Sequence, residues 1–205
     1  MPEAEREEAL AELTREADRL TRLVADLLAL ARADAGVPLK QHTIDLDMVV
    51  LDAFRSARQL ARGQKLLLDP FEPAQVVGDE DRLKQLVLIL LDNALKYTPT
   101  NGKITLGLER LESSVKIIVR DTGVGIASED LPHVFERFYR ADPGRGRDPG
   151  GTGLGLPIAQ WIVEQHGGKI TLESQPAQGT LVTIVLPLPG KPPLTPTCSP
   201  QQTLS

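Results

Sequence analysis

The chain has 205 residues, 41% of them apolar and 3% aromatic, and 23 basic against 28 acidic side chains give a net charge of −5. That length supports one or two domains with a real core; the scarcity of aromatics argues against a base-stacking platform, and the mild acidity supplies no general field for nucleic acid. A single cysteine, Cys198, excludes an internal disulfide framework, no long apolar run is present, and the start is acidic (Glu3, Glu5, Glu7, Glu8), so the sequence predicts a cytoplasmic chain with no membrane segment and no nucleic acid partner.

Leu10, Leu13, Ala17, Leu20, Val24, Leu27 and Ala31 step alternately by three and four, a heptad seam on one long helix. Leu23, Leu28 and Leu30 widen it toward a bundle, and Gly36 and Pro38 end it. Residues 1–35 carry nine acids and five arginines, a net of −4, so most of the excess charge of the chain lies here. An amphipathic helix cannot bury its own stripe. A dimer bundle is expected, with folding back onto the downstream domain as the alternative.

From residue 39 the pattern changes. His42–Leu46 reads as a short strand, and a helix is expected from Met48 to Arg62, closed by Gly63. Lys65–Leu68 and Gln75–Val77 read as strands separated by Pro70 and Pro73. Asp79, Glu80 and Asp81 place acids at the start of a helix running to Tyr97, and Pro99, Asn101 and Gly102 form a turn. Lys103–Glu109 and Val115–Arg120 predict a hairpin; Pro157–His166 predicts a helix ended by Gly167 and Gly168; Lys169–Ser174 and Thr180–Pro187 predict two final strands. This is an α+β pattern, a two-layer α/β sandwich with helices on one face. The stretch from Leu188 to Ser205 holds five prolines and is expected to be a disordered tail.

Four local features carry chemistry, and each alone has an ordinary structural reading. Asn93, Lys96 and Tyr97 share a helix face, where an amide, a cation and a ring could serve a metal, a phosphate and a flat base. Asp121-Thr122-Gly123-Val124-Gly125-Ile126 follows a strand, with an acid able to accept a hydrogen bond and glycines allowing close backbone approach. Phe135 to Arg140 leads into a loop where Arg137, Arg140, Arg145 and Arg147 face one acid, Asp142. Gly150 to Leu156 precedes a helix with Pro157 in its first turn, and backbone N–H groups there suit an anion.

In this order the four resemble the catalytic, ATP-binding domain of bacterial two-component sensor histidine kinases. Leu91–Pro99 resembles the N box, Asp121–Ile126 the G1 box, Phe135–Arg140 the F box, Gly151–Leu156 the G2 box, and Gly179-Thr180 the closing Gly-Thr element. The likeness covers residues 40–187. The implied division is residues 1–36 as the second helix of the dimerisation and phosphotransfer hairpin, 37–187 as an ATP-binding domain of Bergerat-type fold, and 188–205 as the tail.

The resemblance implies ATP and Mg²⁺ as cofactors. Asn93 would ligate Mg²⁺, and Lys96 and Arg140 would neutralise phosphate charge as the catalytic cations. Tyr97 would pack along the nucleotide, Asp121 would accept from the adenine amino group, and Thr180 would support Asp121 through water. Gly123, Gly125 and Ile126 would let the base sit deep; Gly151, Gly153, Leu154, Gly155 and Leu156 would line the phosphates; residues 127–150 would form the lid. Implied partners are a second copy through the N-terminal helix, a phosphoacceptor histidine helix and a response regulator. Any membrane anchor would belong to a longer parent chain.

Two departures stand out. Hydrolytic relatives carry a Glu one turn before the N-box Asn, and here that position is Ile89, which cannot polarise water. The three histidines, His42, His133 and His166, lie in no acceptor motif and read as polar or capping residues, so the phosphoryl acceptor is expected elsewhere. The alternatives are a non-catalytic adaptor that dimerises with an intact kinase, and a serine kinase of the anti-sigma type, which would need no bundle helix.

Overall fold

The computed structural model describes residues 39–141 and 152–194, together with ten positions from Arg6 to Ala31, all of them helical. At the described seam positions the side chains are open to solvent, Leu13 at 67%, Leu20 at 53% and Val24 at 54% exposure, so among the described residues nothing buries them. The fold-back alternative is therefore not what the structure adopts at these positions.

Strand β1 (His42–Asp45) leads directly into helix α1 (Leu46–Leu60), whose first turn begins two residues earlier than expected. Strands β2 (Lys65–Phe71) and β3 (Gln75–Gly78) precede helix α2 (Glu80–Tyr97). The hairpin of β4 (Lys103–Arg110) and β5 (Ser114–Asp121) follows, then helix α3 (Gly155–Gln165), β6 (Lys169–Gln175) and β7 (Gly179–Pro187). The strands form two sheets. β1 pairs antiparallel with β3 alone, while the other five run in the order β2-β4-β5-β7-β6, with only β2 and β4 parallel.

Strand β2 passes through Pro70 instead of stopping at Leu68. It can do so because β2 is an edge strand, and the pairing with β4 shifts register between Leu68 and Phe71, where a missing N–H costs little. One face of the large sheet is apolar: Ile104, Leu106, Ile117, Val119, Ile184 and Leu186 are buried there. The helices supply the opposing stripes, such as Leu83, Leu86, Val87 and Leu90 on α2 and Ile158 and Ile162 on α3, at three- and four-residue spacing. The other sheet face is polar, with Glu109 and Lys116 in register and 3.7 Å apart. Trp161 packs against the core only half-buried and lies under the Arg82 guanidinium, 6.0 Å from the ring centroid. Packed chain also continues past the expected end at Pro187: Leu188 is buried, its N–H donates to the Ser113 carbonyl, and the Leu194 N–H donates to that of Gly167. The remaining tail, 195–205, lies outside the described residues.

The two site-bearing helices are pinned at one end by His166. Its buried ring gives a proton from Nδ1 to the Ile162 carbonyl at 2.7 Å and accepts the Asp79 N–H at Nε2, 3.0 Å away. Asp79 is the N-cap of α2 and accepts the Arg82 N–H, so the pin joins the start of α2 to the end of α3. A Cβ on Gly78 would lie 2.2 Å from the ring. Burial pushes the His166 pKa below its usual value, and a doubly protonated ring could not accept the Asp79 N–H. The neutral ring therefore contributes stability that is complete above the unfolded-state pKa of about 6.5 and is lost as pH falls toward the folded value. Thermal melts should show Tm falling from pH 7 to pH 5 more steeply in the natural chain than in His166→Gln; equal slopes would remove this role.

Candidate functional site

The site is built where the C-terminus of α2 meets the loop after β5 and the start of α3. Leucines and Ala94 on the buried side of α2 leave Asn93 and Lys96 half-buried on the other, with Tyr97 exposed and the Lys96 ammonium 5.3 Å from its ring centroid. The end of α2 is held by Gln64, whose side-chain amide donates to the Leu95 and Thr98 carbonyls at 3.2 and 3.1 Å.

Asp121 is the last residue of β5 and is buried. Its Oδ1 accepts the Gly123 N–H at 2.7 Å and the Thr180 N–H at 3.3 Å, and no hydrogen bond among the described residues reaches Oδ2. Burial raises its pKa, opposed by those two donors, so the carboxylate is short of partners for its charge. Thr180 thus supports Asp121 through its backbone N–H, a direct contact beside whatever water-mediated one the resemblance implies. The Thr180 hydroxyl turns to Ser174 Oγ, 3.0 Å away.

The loop 122–126 is sewn down on both sides. The Val124 N–H donates to the Tyr97 carbonyl at 3.2 Å, the Val124 carbonyl accepts from Ala177 at 2.7 Å, and the Ile126 N–H donates to Ser174 Oγ at 2.9 Å. Gly125, at φ +67°, would place a Cβ 1.9 Å from the Gln175 carbonyl oxygen. This glycine, expected to make room for a base, is already required by the backbone of the chain itself.

Beyond it, a 3₁₀ turn at Leu131–His133 precedes the F-box segment. The Tyr139 hydroxyl donates to Asp130 at 2.5 Å, which with Asp130 and neighbouring acids pushes the phenol up to about 12. His133 pairs with Glu136 at 2.7 Å and lies 5.3 Å from the Tyr139 ring. Phe138 is 63% exposed and adopts φ +67°; its N–H donates to the Gly153 carbonyl at 2.9 Å. The F-box and G2 segments are thereby stitched together at the base of the loop between them. Arg140 is half-buried at that base, while residues 142–150 of the expected lid, and Gly151, lie outside the described residues.

At the start of α3, Leu154 is a core residue, and its N–H is taken up by Thr152 Oγ1 at 3.3 Å, so it is less free to meet a ligand than expected. A Cβ on Gly155 would come 3.2 Å from Ile89 Cγ2 and 3.9 Å from Asn93 Nδ2, which places this turn against the metal-capable face of α2; Leu156 follows, half-buried. No group of three His, Cys, Asp or Glu side chains suited to a metal occurs among the described residues. Asn93 therefore fits an ion such as Mg²⁺ that takes most of its oxygens from a phosphate ligand and water.

The structure thus gathers Asp121, Thr180, Tyr97 and the loop 122–126 on one side, and Asn93 with Gly155 on the other. Sequence reasoning missed Ser174, Gln64 and the Asp130–Tyr139 pair. Gln64 sits beside the helix-closing Gly63, a local cue, but Ser174 has none. No described helix is long and apolar enough to cross a membrane.

Comparison with known proteins agrees with this geometry. Sensor histidine kinase YkoH of Bacillus subtilis (strain 168) is 40% identical over 178 residues, covering 87% of this chain and 39% of the relative, so the chain spans about two-fifths of its length. The mycobacterial sensor histidine kinase MprB superposes with a TM-score of 0.64 at 31% identity, over 74% of this chain and 99% of that one. Full-length ShkA, solved in complex with AMPPNP, gives 0.76 at 26% identity over 90% of this chain and 39% of that one. Residues 78–190, just over half of the chain, match the family described as histidine kinase-, DNA gyrase B- and HSP90-like ATPases. On that match the chain belongs to this family, and within it the relatives mark it as a catalytic ATP-binding domain of the sensor histidine kinase type, on the Bergerat-type fold.

Proposed function

We propose that the chain is the phosphoryl-donating half of a two-component sensor kinase, moving the γ-phosphoryl of ATP to a histidine that none of its own three supplies. The observation that carries this reading is the buried Asp121, with Oδ1 saturated by two backbone donors and Oδ2 left for a ligand amine. The complex of ShkA with AMPPNP, an ATP analogue, supports ATP as the nucleotide. Residues 1–36 serve as the second helix of a dimerisation hairpin, and their exposed seam suits a second copy and an acceptor helix. Residues 37–187 bind the nucleotide, and a response regulator takes the phosphoryl group onward.

In this reading Asp121 orients the adenine, Tyr97 flanks the nucleotide, and Lys96 and Arg140 balance the phosphates. Asn93 would hold Mg²⁺, which when bound supplies charge neutralisation at the β- and γ-phosphates. Ile89 places a hydrocarbon beside Asn93 and Gly155, so no carboxylate is there to activate water and ATP survives until an acceptor arrives.

The test is γ-labelled ATP with Mg²⁺, the full chain, and a separately purified acceptor hairpin of a sensor kinase relative. Acid-labile label on the hairpin histidine is expected, and none when the hairpin is omitted. ATP binding with no transfer overturns the kinase reading and leaves a nucleotide-binding adaptor.

A further inference from the structure

The node that holds the adenine side of the site together is a residue with no role in the reading above. Ser174, half-buried at the end of β6, makes three contacts through one oxygen: Oγ lies 2.8 Å from the Gly179 carbonyl, 2.9 Å from the Ile126 N–H and 3.0 Å from Thr180 Oγ1. A serine hydroxyl has one proton and two lone pairs. The carbonyl can only accept, so the Ser174 proton goes to Gly179. Ile126 can only donate, so it takes one lone pair. Thr180 must then donate its own proton into the remaining pair. With that proton spent, Thr180 Oγ1 has only acceptor capacity left toward any further partner.

Asp121 Oδ2 is likewise an acceptor when ionised, and the Thr180 backbone holds Asp121 in place from the same residue. Resting on the nucleotide reading, we propose that Ser174 is a positioning and specificity residue. It fixes the Thr180 hydroxyl as an acceptor, so that the pocket presents acceptors to an exocyclic amino group and rejects a carbonyl in its place. A purine bearing a 6-oxo group would meet lone pairs at both points and forfeit a hydrogen bond.

The experiment measures binding of ATP and of inosine triphosphate, each with Mg²⁺, to the full chain, its Ser174→Ala and Ser174→Thr variants, and Thr180→Val. The two nucleotides share every phosphate and ribose contact and differ only on the Watson–Crick edge, in the 6-substituent and in the proton that N1 carries in the 6-oxo base. Ser174→Ala should reduce the ratio of ATP to inosine triphosphate affinity by about five-fold, the scale of one neutral hydrogen bond. Ser174→Thr, which keeps the hydroxyl and suits a strand, should restore the ratio. Thr180→Val should lower it similarly, and the double variant should add little, because both act through one acceptor. A Ser174→Ala chain with a lower Tm and an unchanged ratio overturns the proposal, as does additivity of the two variants. A natural chain that binds neither nucleotide is a different failure: it removes the nucleotide reading itself, before any variant is compared, and this inference with it.

Discussion

Asp121→Asn should lower ATP affinity about 100-fold while leaving the melting temperature at pH 7 unchanged or slightly higher. The loss follows from exchanging a carboxylate acceptor for an amide. A hydrogen bond to a charged group contributes about 1.5–3 kcal/mol, and the Asn NH₂ would oppose a ligand amine with a second donor. The stability half follows from the raised pKa. A group raised in the folded state contributes stability below its unfolded value and loses it as pH rises through the folded one, so at neutral pH the buried charge of Asp121 is a net cost. Asn keeps an Oδ1 for the Gly123 and Thr180 N–H groups and sheds that cost. Calorimetric titration beside a thermal melt reads both quantities. Unchanged ATP affinity would remove Asp121 from the site; a large fall in Tm would make it a structural residue.

Gly179→Ala should lose about 3 kcal/mol or more of folding stability, enough to unfold much of the population near 37 °C. At φ +86° the backbone is in the left-handed region, and an added Cβ would sit 2.0 Å from the Asp121 carbonyl oxygen and 2.9 Å from Thr122 Cα. Both obstacles are backbone, held by β5, so relief means moving β7 away from the strand that carries the site acid. Gly190 is an internal control: its φ is +77°, but nothing lies within 4 Å of its added Cβ, so Gly190→Ala should cost only about 1 kcal/mol of conformational strain. Urea titrations of the two variants should differ clearly in midpoint. Equal midpoints would mean that the close approach between β5 and β7 relaxes freely.

What could be read in the sequence was what repeats or lies close along the chain. The stripes of α1, α2 and α3 show in their three- and four-residue spacing, and Asp121 announces itself because an acid, two glycines and a strand end occur together. What stayed hidden depends on partners far away in sequence. Nothing near Pro70 shows that β2 lies at a sheet edge, where a proline is tolerated. Ser174 matters through Ile126, 48 residues earlier, and His166 through Asp79, 87 residues earlier. Gly125 was legible as a glycine that the loop needs, but the reason, a Gln175 carbonyl only 1.9 Å from where a Cβ would sit, exists only once β6 has been laid beside it.

The pin at His166 also sets a lever. Asp79 and Asn93 lie on one rigid helix, about 20 Å apart at 1.5 Å per residue, and α3 runs back alongside it from Gly155 to His166. The two helices are thus joined at one end through the imidazole and face each other at the other end, where Gly155 lies against Ile89 and Asn93. Over that arm a tilt of about 3° between the helices would displace Asn93 by about 1 Å, the scale on which positioning of reacting groups is decided. On the proposed reading, the aim of the Asn93 amide thus depends in part on a contact made at the far end of its helix, by the His166 ring.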